Sequence, residues 1–400
     1  MKTFHSNIRK LYAFAFLQRT LFPMAIITLF WKDQIGLSLT QILLLQSIFS
    51  AASVLLEYPS GYISDRLGYR SALTIASVLG TAGWVFYTLA TTFNGVLFAE
   101  ILLGISLSFI SGSDSALLFE TLREEKQEGL YARYEGRMNG FSQSAEAIGA
   151  LFAGLMYASA PLLPFFLQIA VWLLAFSVVR TMKEPPRDSA IQIHSHLAEA
   201  LRITRYVFLE NRKLRATILL NTFLGIASFY PVWLIQPYMQ QHGVPLGWFG
   251  PVWTGANLTV AVFALSSHRV HALLGDRKMI LLFIVMILLG YFGLGLIGGV
   301  GGFLFYYLLT SMRGMRGPMF LNHTQVETPS ANRASILSLQ SLAFRVVFIV
   351  TGPLVGMLAD KMGVQQAFHL LLYAFLIILP PLAWLFLRNI SRGNSSVAEQ

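Results

Sequence analysis

Along most of the chain, apolar residues come in unbroken runs of about twenty, separated by short polar stretches. The runs cover approximately 11–31, 40–62, 71–92, 96–118, 139–160, 163–181, 216–238, 246–267, 279–299, 302–320, 336–358 and 366–387. A helix of that length crosses about 30 Å of hydrocarbon at about 1.5 Å per residue. Without water, each crossing segment must satisfy its own backbone hydrogen bonds, which a helix does. The pattern predicts an all-α integral membrane protein with twelve transmembrane helices. Six spans precede a charged stretch of about thirty residues and six follow it, a layout expected of two six-helix bundles. The predicted parts are a first bundle over 1–182, a linker over 183–215, a second bundle over 216–388 and a tail over 389–400.

Composition agrees: 55% of residues are hydrophobic, 12% are charged and mean hydropathy is +0.60, whereas soluble domains carry about 25% charged residues. A net charge of +10 would suggest nucleic acid in a soluble chain, but its distribution gives it another meaning. Of 29 Lys and Arg residues, 23 fall on the side of the N-terminus, counting Arg180 at the end of the sixth span. Lys32 and Lys361 fall on the other side, and Arg19, Arg313, Arg316 and Arg345 lie within spans. Basic loops stay in the cytoplasm, so both termini are expected there, and no nucleic-acid partner is. The run from Leu11 to Trp31 is interrupted by Arg19 and has no small-x-small cleavage site, which makes it a first span rather than a signal peptide. With no cysteine, disulfides and Cys-ligated metals are excluded. The histidines show no metal-ligand spacing, so no metal or cofactor is expected.

In the linker, Glu184-Pro185-Pro186 ends the sixth span. From His196 to Arg215, Leu197, Leu201 and Val207 alternate with Arg202, Arg205, Arg212 and Lys213. This predicts a basic amphipathic helix on the inner membrane surface, too short to build a regulatory domain.

Between spans two and three lies Gly61-Tyr62-Ile63-Ser64-Asp65-Arg66-Leu67-Gly68-Tyr69-Arg70. Gly61 permits close helix contact, Gly68 a tight reversal, and Asp65 can meet the positive N-terminus of a neighbouring helix. The pattern Gly-x-x-Ser-Asp-Arg-x-Gly-x-Arg resembles the signature loop of the major facilitator superfamily. That resemblance implies the major facilitator fold, two pseudo-symmetric six-helix bundles that open alternately to each side. It further implies a conformational latch formed by Gly61, Asp65, Arg66, Gly68 and Arg70 against the start of span eleven, around Asn332 to Ser335. Tyr69 departs from the family, which usually has a basic residue there, so the charge relay toward span four is altered. The corresponding loop between spans eight and nine reads His271-Ala272-Leu273-Leu274-Gly275-Asp276-Arg277-Lys278, with Ala272 opposite Asp65. The latch is therefore expected to be one-sided. A weaker echo, Gly356-Met357-Leu358-Ala359-Asp360-Lys361-Met362-Gly363, ends span eleven. Also in that span, Gly352-Pro353-Leu354-Val355-Gly356 is similar to the Gly-Pro bend of drug–proton antiporters. Span five has instead Gly149-Ala150-Leu151-Phe152-Ala153-Gly154, without proline. Small-residue helix packing explains both stretches equally.

Ionisable groups inside spans are costly and tend to be functional. Candidate proton or ion-pair sites are Arg19, Glu57, Glu100, Asp114, Glu146 and Arg345. Two pairings suggest themselves, Arg19 with Asp114 and Glu57 with Arg345. Their alternative is a static role holding helices together. Candidate substrate residues are Arg19, Asn221, Tyr230, Trp233, Tyr306 and Arg313, an aromatic set with few polar anchors that suits amphipathic compounds. Gly293-Leu294-Gly295-Leu296-Ile297-Gly298 fits a dinucleotide fingerprint, but it lies within an apolar span with no preceding strand. Helix packing is the better explanation.

The sequence thus predicts a non-enzymatic, proton-coupled secondary transporter, expected to be a monomer in a bacterial inner membrane. Its expected task is export of small amphipathic compounds, drug-like molecules or endogenous metabolites such as siderophores. Uptake of a polar or anionic nutrient is the first alternative, since Arg19, Arg313 and Arg316 suit anions. A non-transporting receptor or scaffold on the same fold is the second.

Overall fold

The computed structural model describes residues 2–185, 202–328 and 333–397, and among them there are helices and turns but no strand. The contacts divide the chain into two compact units. One comprises Met1–Ala190 with Val244–Gly255; the other comprises Ile191–Gly243 with Ala256–Gln400.

In the first unit the helices are α1 (Lys2–Arg19), α2 (Leu39–Leu67), α3 (Tyr69–Leu89), α4 (Phe93–Ile110), α5 (Ser113–Glu124), α6 (Tyr131–Leu151), α7 (Ala153–Ser159) and α8 (Leu163–Arg180). Their starts are set by local chemistry. Ser38 and Gln41 form a reciprocal capping box at the start of α2, and the Thr92 hydroxyl caps α4 by accepting from the backbone of Gly95. α3 packs against α4 and α8, and α1 against α6 and α8.

Three predicted spans are interrupted. The first stops at Arg19 and resumes as a short helix Ile27–Leu29 followed by a π-turn Phe30–Gln34. Pro23 accounts for the stop, since it donates no N–H and disfavours helix at Phe22. The backbone N–H of Phe22 donates instead to Gln168 Oε1 on α8, at 3.0 Å. The fourth breaks at Gly112 (φ +84°), so Asp114 lies in the first turn of a new helix. The fifth breaks at Phe152 between α6 and α7.

The second unit contains α9 (Arg212–Gln241), most of α10 (Phe249–Phe292), α11 (Tyr306–Val326), α12 (Arg333–Met362) and α13 (Val364–Val397). α9 runs through Pro231 and Pro237, is buried along most of its length, and touches α11, α12 and α13. α10 has 44 residues, about 66 Å of helix, which is twice what a bilayer needs. It is bent at Gly275, whose φ of +66° and ψ of 173° only glycine adopts easily. The bend divides it into the two expected spans, with Asp276 at the turn between them.

Among the described residues, eight helical segments are long and apolar enough to cross a membrane. α1, α6 and α11 are not among these, and they carry Arg19, Glu146, Arg313 and Arg316.

The part of the expected linker from 186 to 201 lies outside the described residues. Beyond it, Arg202 and Arg205 are exposed while Ile203 and Val207 are buried, as amphipathicity requires. The buried face packs on Leu214 and Ile218 of α9 and on Ile336 and Leu339 of α12. The apolar face of this segment is thus covered by protein.

Candidate functional site

In the first unit, Gly68 ends α2 with φ +108°, the tight reversal that the sequence predicts. The carboxylate of Glu184 then caps α3, accepting from the backbone N–H groups of Tyr69 and Arg70 at 2.8 and 2.7 Å. An anion at a helix N-terminus pairs with unsatisfied N–H donors and the helix dipole. Arg70 reaches the carbonyl of Arg180 at 2.6 Å, so the end of α8 holds the turn from two sides. Asp65 and Arg66 are exposed. The Tyr69 hydroxyl faces Asp65 Oδ1 at 3.4 Å, and the Arg66 guanidinium lies over the Tyr62 ring. A Cβ at Gly61 would meet nothing within 4 Å, so the close contact expected there is not made within this unit. Asn332, part of the expected latch partner, lies outside the described residues. Ser64, beside Asp65, accepts from Ser113, beside Asp114, at 3.0 Å. A pair of hydroxyls thus joins the loop to the start of α5.

Glu100 is buried on α4, where its carboxylate accepts from the Tyr87 hydroxyl and from Gln46 Nε2 at 3.2 Å. Both donors are neutral. The ring of Tyr87 stacks with Trp84 and Trp31, their centroids 5.3 and 6.4 Å away, and with Phe165 at 5.7 Å. An acid in such surroundings is an expensive feature for packing alone.

The other ionisable candidates are spread out. Asp114 Oδ1 accepts from the backbone of Ser115 at 2.7 Å, and Ser115 donates to Glu135 on α6. Arg19 is exposed at the end of α1. Among the described residues it does not form the expected ion pair with Asp114, whose Oδ1 takes the Ser115 backbone N–H. The break after Arg19 and the one at Gly112 set the two ends independently. Glu146 is half-buried on α6, Glu57 exposed on α2, and Arg345 half-buried on α12 of the second unit.

The second unit brings α9 and α11 together around two arginines. Arg313 donates from Nε to Ser228 Oγ at 3.2 Å and from Nη2 to the Ser228 carbonyl. Arg316, one turn on, donates from Nη1 to the carbonyl of Asn221 at 3.0 Å and to its side-chain oxygen. Among the described residues Arg316 Nε has no partner and neither guanidinium meets a carboxylate. Aromatic rings lie close by: Phe229 packs edge-on against Trp233, Phe344 and Phe348. Tyr230 is buried and donates to Thr351 at 2.7 Å, and Tyr306 is buried at the start of α11. Asn221 thus meets Arg316, Arg313 meets Ser228 one to two turns along α9, and Trp233 lies beside Phe229, while Tyr230 reaches Thr351 of α12 and Arg19 belongs to the other unit.

At the bend of α10 the structure assembles a group with no signal in the sequence. Asp276 Oδ1 lies 2.7 Å from His271 Nε2 and 2.9 Å from His323 Nε2. His323 is on α11, 47 residues away, so linear spacing could not reveal the cluster. The hydrogen bond from His323, joined by that from His271 and opposed by partial burial, lowers the Asp276 pKa to about 2.

The family model of the Major Facilitator Superfamily matches residues 11–346. The chain belongs to the major facilitator superfamily. Its similarity to one curated superfamily protein, an uncharacterized MFS-type transporter named YxaM from Bacillus subtilis (strain 168), is 24% identity over 154 residues. That match spans 38% of this chain and 37% of the relative. Among solved superfamily structures, the nucleoside transporter NupG aligns with a TM-score of 0.79 at 13% identity, over 96% of this chain and 98% of that one. A D-xylose-proton symporter aligns with a TM-score of 0.68 at 15% identity, over 96% and 97%. At such identities the likeness establishes the fold alone, an all-helical one, and the superfamily match with the apolar helices makes the chain a multi-pass membrane protein.

Proposed function

We propose that the chain is a secondary active transporter of an amphipathic organic anion, coupled to protons and working by alternating access. The observation that carries the reading is the pair Arg313 and Arg316. Among the described residues both hold only neutral oxygens of Ser228 and Asn221, and Arg316 Nε is unpartnered. A partly buried cation without a counter-charge is costly, and arginine binds carboxylate or phosphate through two parallel hydrogen bonds. The rings of Phe229, Trp233, Phe344 and Phe348 add an apolar wall beside it. The substrate class is thereby narrowed from amphipathic compounds in general to those bearing an acidic group. Glu100 is the preferred proton site, because its neutral donors can hold it with or without the proton.

The test is a thermal-shift screen of purified protein against acidic, neutral and basic amphipathic compounds, followed by flux in proteoliposomes with and without a pH gradient. Acidic compounds should raise the melting temperature, and Arg313→Gln should weaken that effect at least about tenfold. Neutral or basic ligands whose binding ignores both arginines would refute the anionic substrate. Flux indifferent to the gradient would remove the proton, and the sign of the gradient that drives flux separates the export first expected from uptake.

A further inference from the structure

We infer that His271, Asp276 and His323 form a binding site for one divalent transition-metal ion, of which Zn²⁺ is the best fit. One donor atom from each residue lies within 4.8 Å of the other two. In tetrahedral zinc sites the bonds are about 2.0–2.1 Å, which places ligand atoms about 3.3 Å apart. The gaps of 2.7 and 2.9 Å to Asp276 therefore need to open by about half an ångström, and the gap between the two imidazole nitrogens, within 4.8 Å, needs to settle at the same spacing. Two imidazoles and one carboxylate suit zinc and its neighbours, and discriminate against Mg²⁺ and Ca²⁺, which prefer all-oxygen shells.

Access and rigidity also fit. The three side chains are 28%, 27% and 18% exposed, so an ion can enter while water occupies the remaining coordination positions. Two ligands flank the Gly275 bend and the third is on α11, all within one unit. A bound ion would fasten the two halves of α10 to α11. His323 follows Arg316 by seven residues, about two turns or 10 Å, so the clamp acts on the helix that carries both arginines. Arg277 and Lys278 follow Asp276 directly, and their charge opposes cation binding. The site is independent of the substrate assigned above.

The experiment is titration of detergent-purified protein, its affinity tag removed, with Co²⁺ followed by visible absorbance and then by Zn²⁺ displacement. One Co²⁺ per chain should bind with ligand-field bands of a His/carboxylate site. His271→Gln and His323→Gln should each weaken binding at least about tenfold, while His242→Gln, whose ring bonds Tyr238 and Gln365, should not. Because His271 is partly exposed at a helix end, its variant is expected to fold, and apo melting temperatures check both. Binding that survives the double variant, or no stoichiometric Co²⁺ uptake by the wild type, overturns the site.

Discussion

Glu184 shows how much a single side chain outside the apolar spans can fix. Its carboxylate satisfies two of the first N–H groups of α3 at once. Glu184→Ala should cost about 1–2 kcal/mol, the upper part of the range for lost helix caps, read as a lower midpoint in thermal denaturation. Glu184→Gln should recover part of it. Glu100 predicts a different outcome. Glu100→Gln keeps a neutral acceptor for Tyr87 and Gln46, so it should fold normally yet lose gradient-driven flux in proteoliposomes. Retained coupling in that variant would move the proton site elsewhere, Asp114 first. Glu100, Arg313 and Arg316 were legible in the sequence because a charge in an apolar run stands out. Glu184 was not: its partners lie 115 and 114 residues away, and the adjacent prolines suggested only a helix end. The Asp276 cluster was hidden for the same reason, its third member lying beyond any local spacing.

Helices were readable from the lengths of apolar runs, but their breaks were less so. Pro23 and Gly112 interrupt two spans that hydropathy draws as continuous, because a window average does not sense a missing N–H or a positive φ. Gly68 was legible, since a glycine between two spans after a charged cluster calls for a reversal. Gly68→Ala places a Cβ at φ +108° and should cost about 1–3 kcal/mol, seen in the melting temperature. Glycines inside helices mark close packing. A Cβ at Gly80 of α3 would clash with the Trp172 ring of α8, and one at Gly293 would clash with the ring of Phe305. The same crowding, with Gly295 against the backbone of His369, supports helix packing as the meaning of the Gly-x-Gly-x-x-Gly stretch. Gly80→Leu should therefore unfold more readily than Gly61→Leu, which enters open space; relative yields of folded protein after detergent extraction would show it.

For the molecule as a whole, the six-plus-six pattern and the ten-residue loop were enough to place the chain in its superfamily. The substrate was not legible, because it is recognised by a few side chains that only folding brings together. The expected switch remains a proposal with a clear signature. Asp65→Asn should favour the inward-facing state and reduce thiol labelling of single cysteines placed on the outer side. The natural chain has no cysteine, so such labelling has no background. Asp276→Asn should leave labelling unchanged and instead abolish Co²⁺ binding, which would separate a one-sided latch from the metal site; equal effects on labelling would refute the one-sidedness.

The indole–phenol stack around Glu100 also has an optical consequence. Trp84 and Trp31 lie over the ring whose hydroxyl holds the carboxylate, and indole emission shifts with the local electric field. Each proton delivered to Glu100 should change the colour and intensity of that emission. With seven tryptophans in the chain, the difference between wild type and Trp84→Phe isolates the signal. The transporter would then report its own turnover by native fluorescence, without a dye or a labelled substrate.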